Sequence, residues 1–464
     1  MHKLKILFVS PSPSIFHYKS TLHAFLARGY QVRFLFDKKW TRFDGLLEVK
    51  EIFKDTPEVE FRPAVDRSDR WKKLLFYTRE LRSYQRYLFV KNQSSFYRDR
   101  WKSYLPRTAR RLFSHKTAEK LFATNLVRRL LAGIERLTPA DKSIMDDIRA
   151  YAPHAILASP TNVRFSPADL EYLKAGKALG IPSLVLVSTW DNLTTKGLLQ
   201  VWPDRLLVWN AAQIREAKEF HFFPEERIRV TGAPPFDSGF SRLKPSSTRR
   251  EFCLKNDLRE QDPILVYLGS SRNMAKDESW LIEKLRKALD QSGDKQLESI
   301  QMIVRPHPGN PFIYKKIKLK DVIALPKEGG QFPSAGEPLQ LLYDTFYHSF
   351  GVVVGVNTSA IIEAIIFGKP SLAFLTAEYR KTQVETQHFR QLMENDVLEL
   401  ADNPEAFLGI VKKILNGRDS RKSNRENFVR RYIRPLGLEL SAGEAVTREI
   451  EKLVREKAAN NRQG

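Results

Sequence analysis

At 464 residues the chain is too long for one ordinary core, so two domains are expected. Its 42% hydrophobic and 11% aromatic content excludes a disordered chain, and its single cysteine, Cys253, excludes an intramolecular disulfide or a cysteine-based zinc site. Lys and Arg number 77 against 54 Asp and Glu, and the resulting +23 predicts attraction to nucleic acid, acidic lipid or a phosphorylated substrate.

The N-terminus, Met1-His2-Lys3, runs straight into an apolar strand, Lys5–Val9, without the pattern of a secretory signal. A cytoplasmic protein is therefore expected, in which the Asn-x-Ser/Thr triplets at Asn92, Asn192 and Asn357 carry no glycan. The turn-rich segment 10–14 follows, then a helical pattern from Phe16 to Arg28 stopped by Gly29, then a strand over Gln31–Phe36. Strand, helix and strand in so short a span predict a βαβ unit with parallel strands.

From Asp66 to Arg136 the texture changes. This stretch holds 19 Lys and Arg against 6 Asp and Glu, a net of +13 (19 − 6), with interleaved aromatics such as Trp71, Tyr84, Tyr87 and Trp101. Leu126, Leu130, Leu131 and Ile134 fall at helical spacing. A basic helical insertion over 66–145 is expected, either a solvated face or a surface for anionic lipid. Strands return at Ala155–Ala158, Leu184–Val187, Arg205–Trp209 and Ile228–Gly232, with a helix over Pro167–Leu179. A polar connector over 238–250 leads to a second α/β half, with strands at Ile264–Leu268, Gln301–Val304, Val322–Leu325, Gly351–Gly355 and Ser371–Leu375. The division expected is an N-terminal domain 1–240, a C-terminal domain 251–430 and a C-terminal helix and tail over 431–464.

In open parallel sheets ligands gather beyond the carboxyl ends of strands, and the polar clusters lie there in sequence. Gly355-Val356-Asn357-Thr358-Ser359-Ala360-Ile361-Ile362-Glu363-Ala364, closing with Gly368-Lys369-Pro370, delivers hydroxyls to a helix start, where free N–H groups favour an anion. A capped helix with a surface glutamate fits this segment equally well. Arg305-Pro306-His307-Pro308 holds an imidazole between two prolines at a strand end, and Gly269-Ser270-Ser271-Arg272 offers a close backbone approach and a forked donor.

These motifs resemble the nucleotide-binding half of GT-B glycosyltransferases and UDP-N-acetylglucosamine 2-epimerases. The His-Pro element is similar to one in bacterial sialyl-, Kdo- and polyol-phosphate transferases. The family more often shows Ser-Gly-Gly where this chain has Asn357-Thr358-Ser359. The resemblance implies two Rossmann-like domains with a deep inter-domain cleft and a nucleotide-sugar donor. It also implies a glycan or lipid-linked acceptor and a role in bacterial surface polysaccharide. It implies that Asn357, Thr358 and Ser359 meet phosphate, Glu363 the ribose, and Arg305 and His307 the donor phosphate. Gly269, Ser270, Ser271 and Arg272 complete the donor contacts, and the loop Thr376–Arg380 resembles an epimerase loop. His17, just past the first strand, and Asp191, in Trp190-Asp191-Asn192, are the candidate general bases, implying inversion. A CDP-activated polyol-phosphate transferase and a 2-epimerase are alternatives within the fold. A nucleic-acid-binding protein is the alternative outside it, although no RNP, helix-turn-helix or zinc pattern is present. No metal motif and no cofactor motif is found in the sequence.

Overall fold

The computed structural model describes residues 3–11, 18–40, 51–90, 94–159, 168–241, 243–310, 314, 317–327 and 336–463. The chain forms two compact units, residues 1–237 with 432–464, and residues 238–431.

The first unit is built on a seven-stranded sheet in the order β3-β2-β1-β4-β5-β6-β7, with every neighbouring pair parallel. Its strands are β1 Lys5–Val9, β2 Gln31–Phe36, β3 Val59–Pro63, β4 Ala155–Ala158, β5 Ser183–Leu186, β6 Arg205–Val208 and β7 Ile228–Val230. Parallel strands covered by helices on both faces must be apolar on both, and Ile6, Leu7, Phe8 and Val9 are all fully buried. Phe8, Phe34, Leu22 and Phe25 share one core with Val446 and Ile450 of the helix Ala442–Gln463. That last helix thus belongs to the first unit. Arg28 pairs with Glu444 and Glu451, and Arg205 with Glu449 and Glu456. Gly443 lets the two backbones touch, because a Cβ there would lie 2.5 Å from the carbonyl carbon of Ser20.

Between β3 and β4 lie six helices, from Lys72–Phe89 through Asn125–Leu137 to Lys142–Tyr151. They are basic and helical as expected, but their aromatics do not form an outward face. Tyr84, Tyr87, Tyr97, Trp101 and Phe113 are buried and pack on one another. Much of the charge is buried too. Arg79 bridges Glu135 and Glu171, Arg67 also holds Glu171, and Arg86 donates to the carbonyls of Leu193 and Lys196. At the surface, leucines stand among basic residues: Leu112, Leu121, Leu126, Leu130 and Leu137 are exposed, as are Arg110, Arg111, Lys120, Arg129 and Arg136.

The second unit carries a six-stranded parallel sheet in the order β10-β9-β8-β11-β12-β13. Its strands are β8 Ile264–Leu268, β9 Gln301–Arg305, β10 Val322–Ala324, β11 Gly351–Val354, β12 Ser371–Phe374 and β13 Glu399–Ala401. In each sheet the first strand sits beside the fourth, so the order reverses there and two loops diverge. In the second sheet that switch point falls between β8 and β11.

Candidate functional site

The candidate site lies at this switch point, where loops leaving β8, β9 and β11 meet. A buried carboxylate that sequence reasoning missed organises it. Glu278 is fully buried, and burial raises its pKa while its hydrogen bonds oppose the rise. It accepts from the hydroxyls of Tyr314 (2.6 Å) and Tyr267 (3.0 Å), from the Ser270 hydroxyl (3.2 Å) and from the Ser270 N–H. Ser270 Oγ in turn accepts from the N–H groups of Val356 (3.1 Å) and Asn357 (3.0 Å), tying the loop after β8 to the loop after β11. Glu278 sits just before the helix Ser279–Asp290, where a solvated glutamate is the ordinary expectation. Its burial is made by Tyr267 and Tyr314, which reach it from two other segments.

This network reassigns several expected donor contacts. Gly269 lacks a side chain because Tyr314 occupies the space, its hydroxyl 2.2 Å from where a Cβ would stand. Gly355 makes room in the same way for Tyr267 and Glu278. Ser270 is buried and its lone pairs are used, so it fixes the loops and is not placed to bind a phosphate directly. The Asn357 amide is equally committed, with Nδ2 within 2.9 Å of the Thr382 carbonyl and of His388 Nε2.

Arg305, at the end of β9, and Glu363, in the helix Ala360–Ile366, form a largely buried ion pair at 2.7 Å. Glu363 is thus not the surface residue that a bare helix pattern suggests. His307 is partly exposed, and its Nδ1 accepts from the Gly309 N–H at 2.9 Å. Burial, with help from the Arg305 cation, pushes its pKa down to about 4. The ring is therefore neutral at pH 7 with its proton on Nε2, which makes it a hydrogen-bond donor without a charge. Asn310 Nδ2 donates to the Ala275 carbonyl and holds the His307 loop against the loop after β8. Thr358 is buried, Ser359 and Arg272 are exposed, and Ser271 is intermediate. In the loop after β12, the Tyr379 hydroxyl donates to the Asp277 carbonyl and its ring stacks on Trp280.

In the first unit His17 lies outside the described residues. Asp191 accepts from the hydroxyls of Thr189 (2.6 Å) and Thr195 (2.7 Å) and lies 3.6 Å from Lys196 Nζ. Another buried carboxyl escaped the sequence reading. Glu216 is buried, neither of its oxygens has a hydrogen-bond partner among the described residues, and burial pushes its pKa up to about 8. Among the described residues no group of three or more His, Cys, Asp or Glu could hold a metal ion.

No family model matches the chain, and no curated protein matches it closely enough in sequence to count as a relative. Solved structures do. The UDP-GlcNAc 2-epimerase of Neisseria meningitidis, solved bound to UDP-GlcNAc, aligns over 98% of this chain and 100% of its own at 10% identity, with a TM-score of 0.55. A glycosyltransferase of Rickettsia africae ESF-5 aligns over 98% and 99% at 10% identity, with a TM-score of 0.55. The UDP-GlcNAc 2-epimerase of Methanocaldococcus jannaschii gives 0.53 at 10% identity over 97% of this chain and 99% of that one.

The chain has the GT-B fold. Two Rossmann-like parallel sheets with reversed strand order, and alignment of such structures over 98% of the chain, support this. None of the described helices is long and apolar enough to cross a membrane.

Proposed function

We propose that the chain is a metal-independent glycosyltransferase that moves a sugar from a nucleotide-activated donor to a glycan or lipid-linked acceptor in bacterial surface-polysaccharide synthesis. The observation that carries this reading is His307 at the switch point, whose Nδ1 accepts from the Gly309 N–H, so that the neutral ring carries its proton on Nε2. A neutral donor can hydrogen-bond a phosphate oxygen in any of its charge states between pH 5 and 9, without proton exchange with the leaving group. Thr358, Ser359 and Ser271 supply hydroxyls and Arg272 an exposed cation for the same phosphates. Glu363, charge-balanced by Arg305, is the ribose contact. Ser270, Gly269 and Asn357 shape the loop from behind.

On the acceptor side we propose His17 as the general base, with the inversion of configuration that a direct displacement implies, and Asp191 as a positioning carboxylate for the acceptor. The exposed leucines of the insertion, set among basic residues, suit peripheral contact with an anionic membrane on its inner face. Fold likeness is equal for an epimerase, but an epimerase converts its nucleotide sugar with no acceptor present.

A thermal-shift panel of UDP-, CMP-, CDP-, GDP- and dTDP-linked sugars tests the donor site. One nucleotide class should stabilise the protein, and His307→Ala should weaken that stabilisation about tenfold in ligand concentration. No selective nucleotide, or an unaffected His307→Ala protein, sinks the donor assignment. His17→Ala should abolish turnover at nearly unchanged donor affinity. Surviving turnover places the base elsewhere.

A further inference from the structure

The helical insertion forms one side of an open cavity of about 890 Å³ within the first unit. Arg82 forms part of its wall. This residue is buried, only 9% exposed, and its Nε and Nη1 have no hydrogen-bond partner among the described residues. Its buried arginine neighbours all have partners: Arg79 pairs with Glu135 and Glu171, Arg67 with Glu171, and Arg86 donates through Nη1 and Nη2 to backbone carbonyls, leaving only its Nε without one among the described residues. Glu135 also faces the cavity, but it is already shared between Arg79 and Lys174. Arg128, Arg129, Arg136 and Lys177 line the same space, so the lining is strongly cationic. A guanidinium removed from water without a counter-charge costs several kcal/mol, and a fold tolerates that cost where something else supplies the anion.

A second unpartnered atom narrows the chemistry. Gln200 also lines the cavity and is buried. Its Nε2 donates to the Arg79 carbonyl and Ser83 Oγ, both at 3.1 Å, which fixes the amide orientation. Its Oε1 is left buried without a donor. Arg82 and Gln200 thus bring to the cavity wall a guanidinium without an anion and an amide oxygen without a donor among the described residues, while Trp202 and Phe222 give the wall an apolar part.

We propose that this cavity binds the phosphate ester of a polyhydroxylated molecule, with Arg82 meeting the phosphate and Gln200 Oε1 accepting from a hydroxyl. Arg129, Arg136 and Lys177, nearer the surface, attract the anion. The helix Asn125–Leu137 contributes Arg128, Arg129 and Arg136 to the cavity and presents Leu126 and Leu130 outward. A lipid-borne phosphate and a free sugar phosphate would use the same contacts. This site is independent of the donor-site reading, and nucleotides play no part in its test.

Calorimetry with glucose 1-phosphate covers the free form. Co-sedimentation with phosphatidylglycerol vesicles, against phosphatidylcholine as control, covers the lipid-borne form. At least one probe should bind, Arg82→Met should weaken that probe at least tenfold, and Arg129→Ala with Lys177→Ala should weaken it several-fold. Because Arg82 is uncompensated, Arg82→Met should not lower the melting temperature of the ligand-free protein. Absence of binding by either probe up to about 10 mM overturns the proposal. So does vesicle binding that Arg82→Met leaves intact and only the surface pair removes, since that pattern is plain surface electrostatics. A large loss of stability in Arg82→Met would also overturn it, by showing that the guanidinium is already satisfied in the fold.

Discussion

Replacing Glu278 by Gln tests whether one buried carboxylate holds the donor-site loops. In the native protein two carboxylate oxygens accept from four donors: the Ser270 N–H, the Ser270 hydroxyl and the hydroxyls of Tyr267 and Tyr314. The isosteric amide keeps one acceptor oxygen, which must face the Ser270 N–H because a backbone amide cannot reverse its role. The amide nitrogen then faces Tyr267 and Ser270 Oγ. Tyr267 can rotate and accept, but Ser270 Oγ already accepts from Val356 and Asn357. One hydrogen bond is lost and one amide proton meets no acceptor, a cost of about 2 kcal/mol. Local opening of the loop after β11 should become about 30-fold more frequent. Amide hydrogen exchange of a peptide spanning 351–360 reads this directly, with little change expected in the first unit. A change below about threefold would show that Glu278 works as a neutral acid already, and the reasoning from an ionised hub would fail.

Three further outcomes follow from the same structure. Gly355→Ala puts a Cβ 2.2 Å from the Tyr267 hydroxyl and 2.3 Å from Glu278 Oε2 in a fully packed site. It should cost about 3 kcal/mol in urea unfolding of the second unit, and a loss under 1 kcal/mol would mean that the loop yields freely. Arg305→Met leaves Glu363 buried without its partner and should destabilise by about 3 kcal/mol, while Arg305→Met with Glu363→Leu should recover most of that loss in a double-mutant cycle. Glu216 holds its proton up to about pH 8 when folded, against about 4.5 as its ordinary value. The native state thus binds the extra proton, so its contribution to stability is complete below pH 4.5 and is lost as pH rises from there through about 8. Glu216→Gln should flatten the dependence of the urea midpoint between pH 5 and 9, and an unchanged slope would refute the buried, protonated carboxyl.

The sequence by itself determined the parallel α/β architecture. Buried parallel strands must be apolar on both faces, so Lys5–Val9, Gln31–Phe36, Ala155–Ala158 and Ile264–Leu268 stand out as short apolar runs whose limits match the strands observed. The two strands it did not reveal, Val59–Pro63 and Glu399–Ala401, are both at sheet edges, where one side lacks a neighbour and polar residues are tolerated. It also located the loops at the switch point, because ligand-facing polar residues follow strand ends in any such sheet. The tertiary structure alone decided which polar residues in those loops are structural. Burial of Glu278 depends on Tyr267 and Tyr314 arriving from two other elements, and it is this burial that turns Ser270 and Gly269 into supports. The same holds for the basic insertion, whose charge is plain in the composition. Pairing of Arg79 with Glu135 and Glu171, 56 and 92 residues away, and the absence of any such partner for Arg82, arise only when helices distant in sequence pack together.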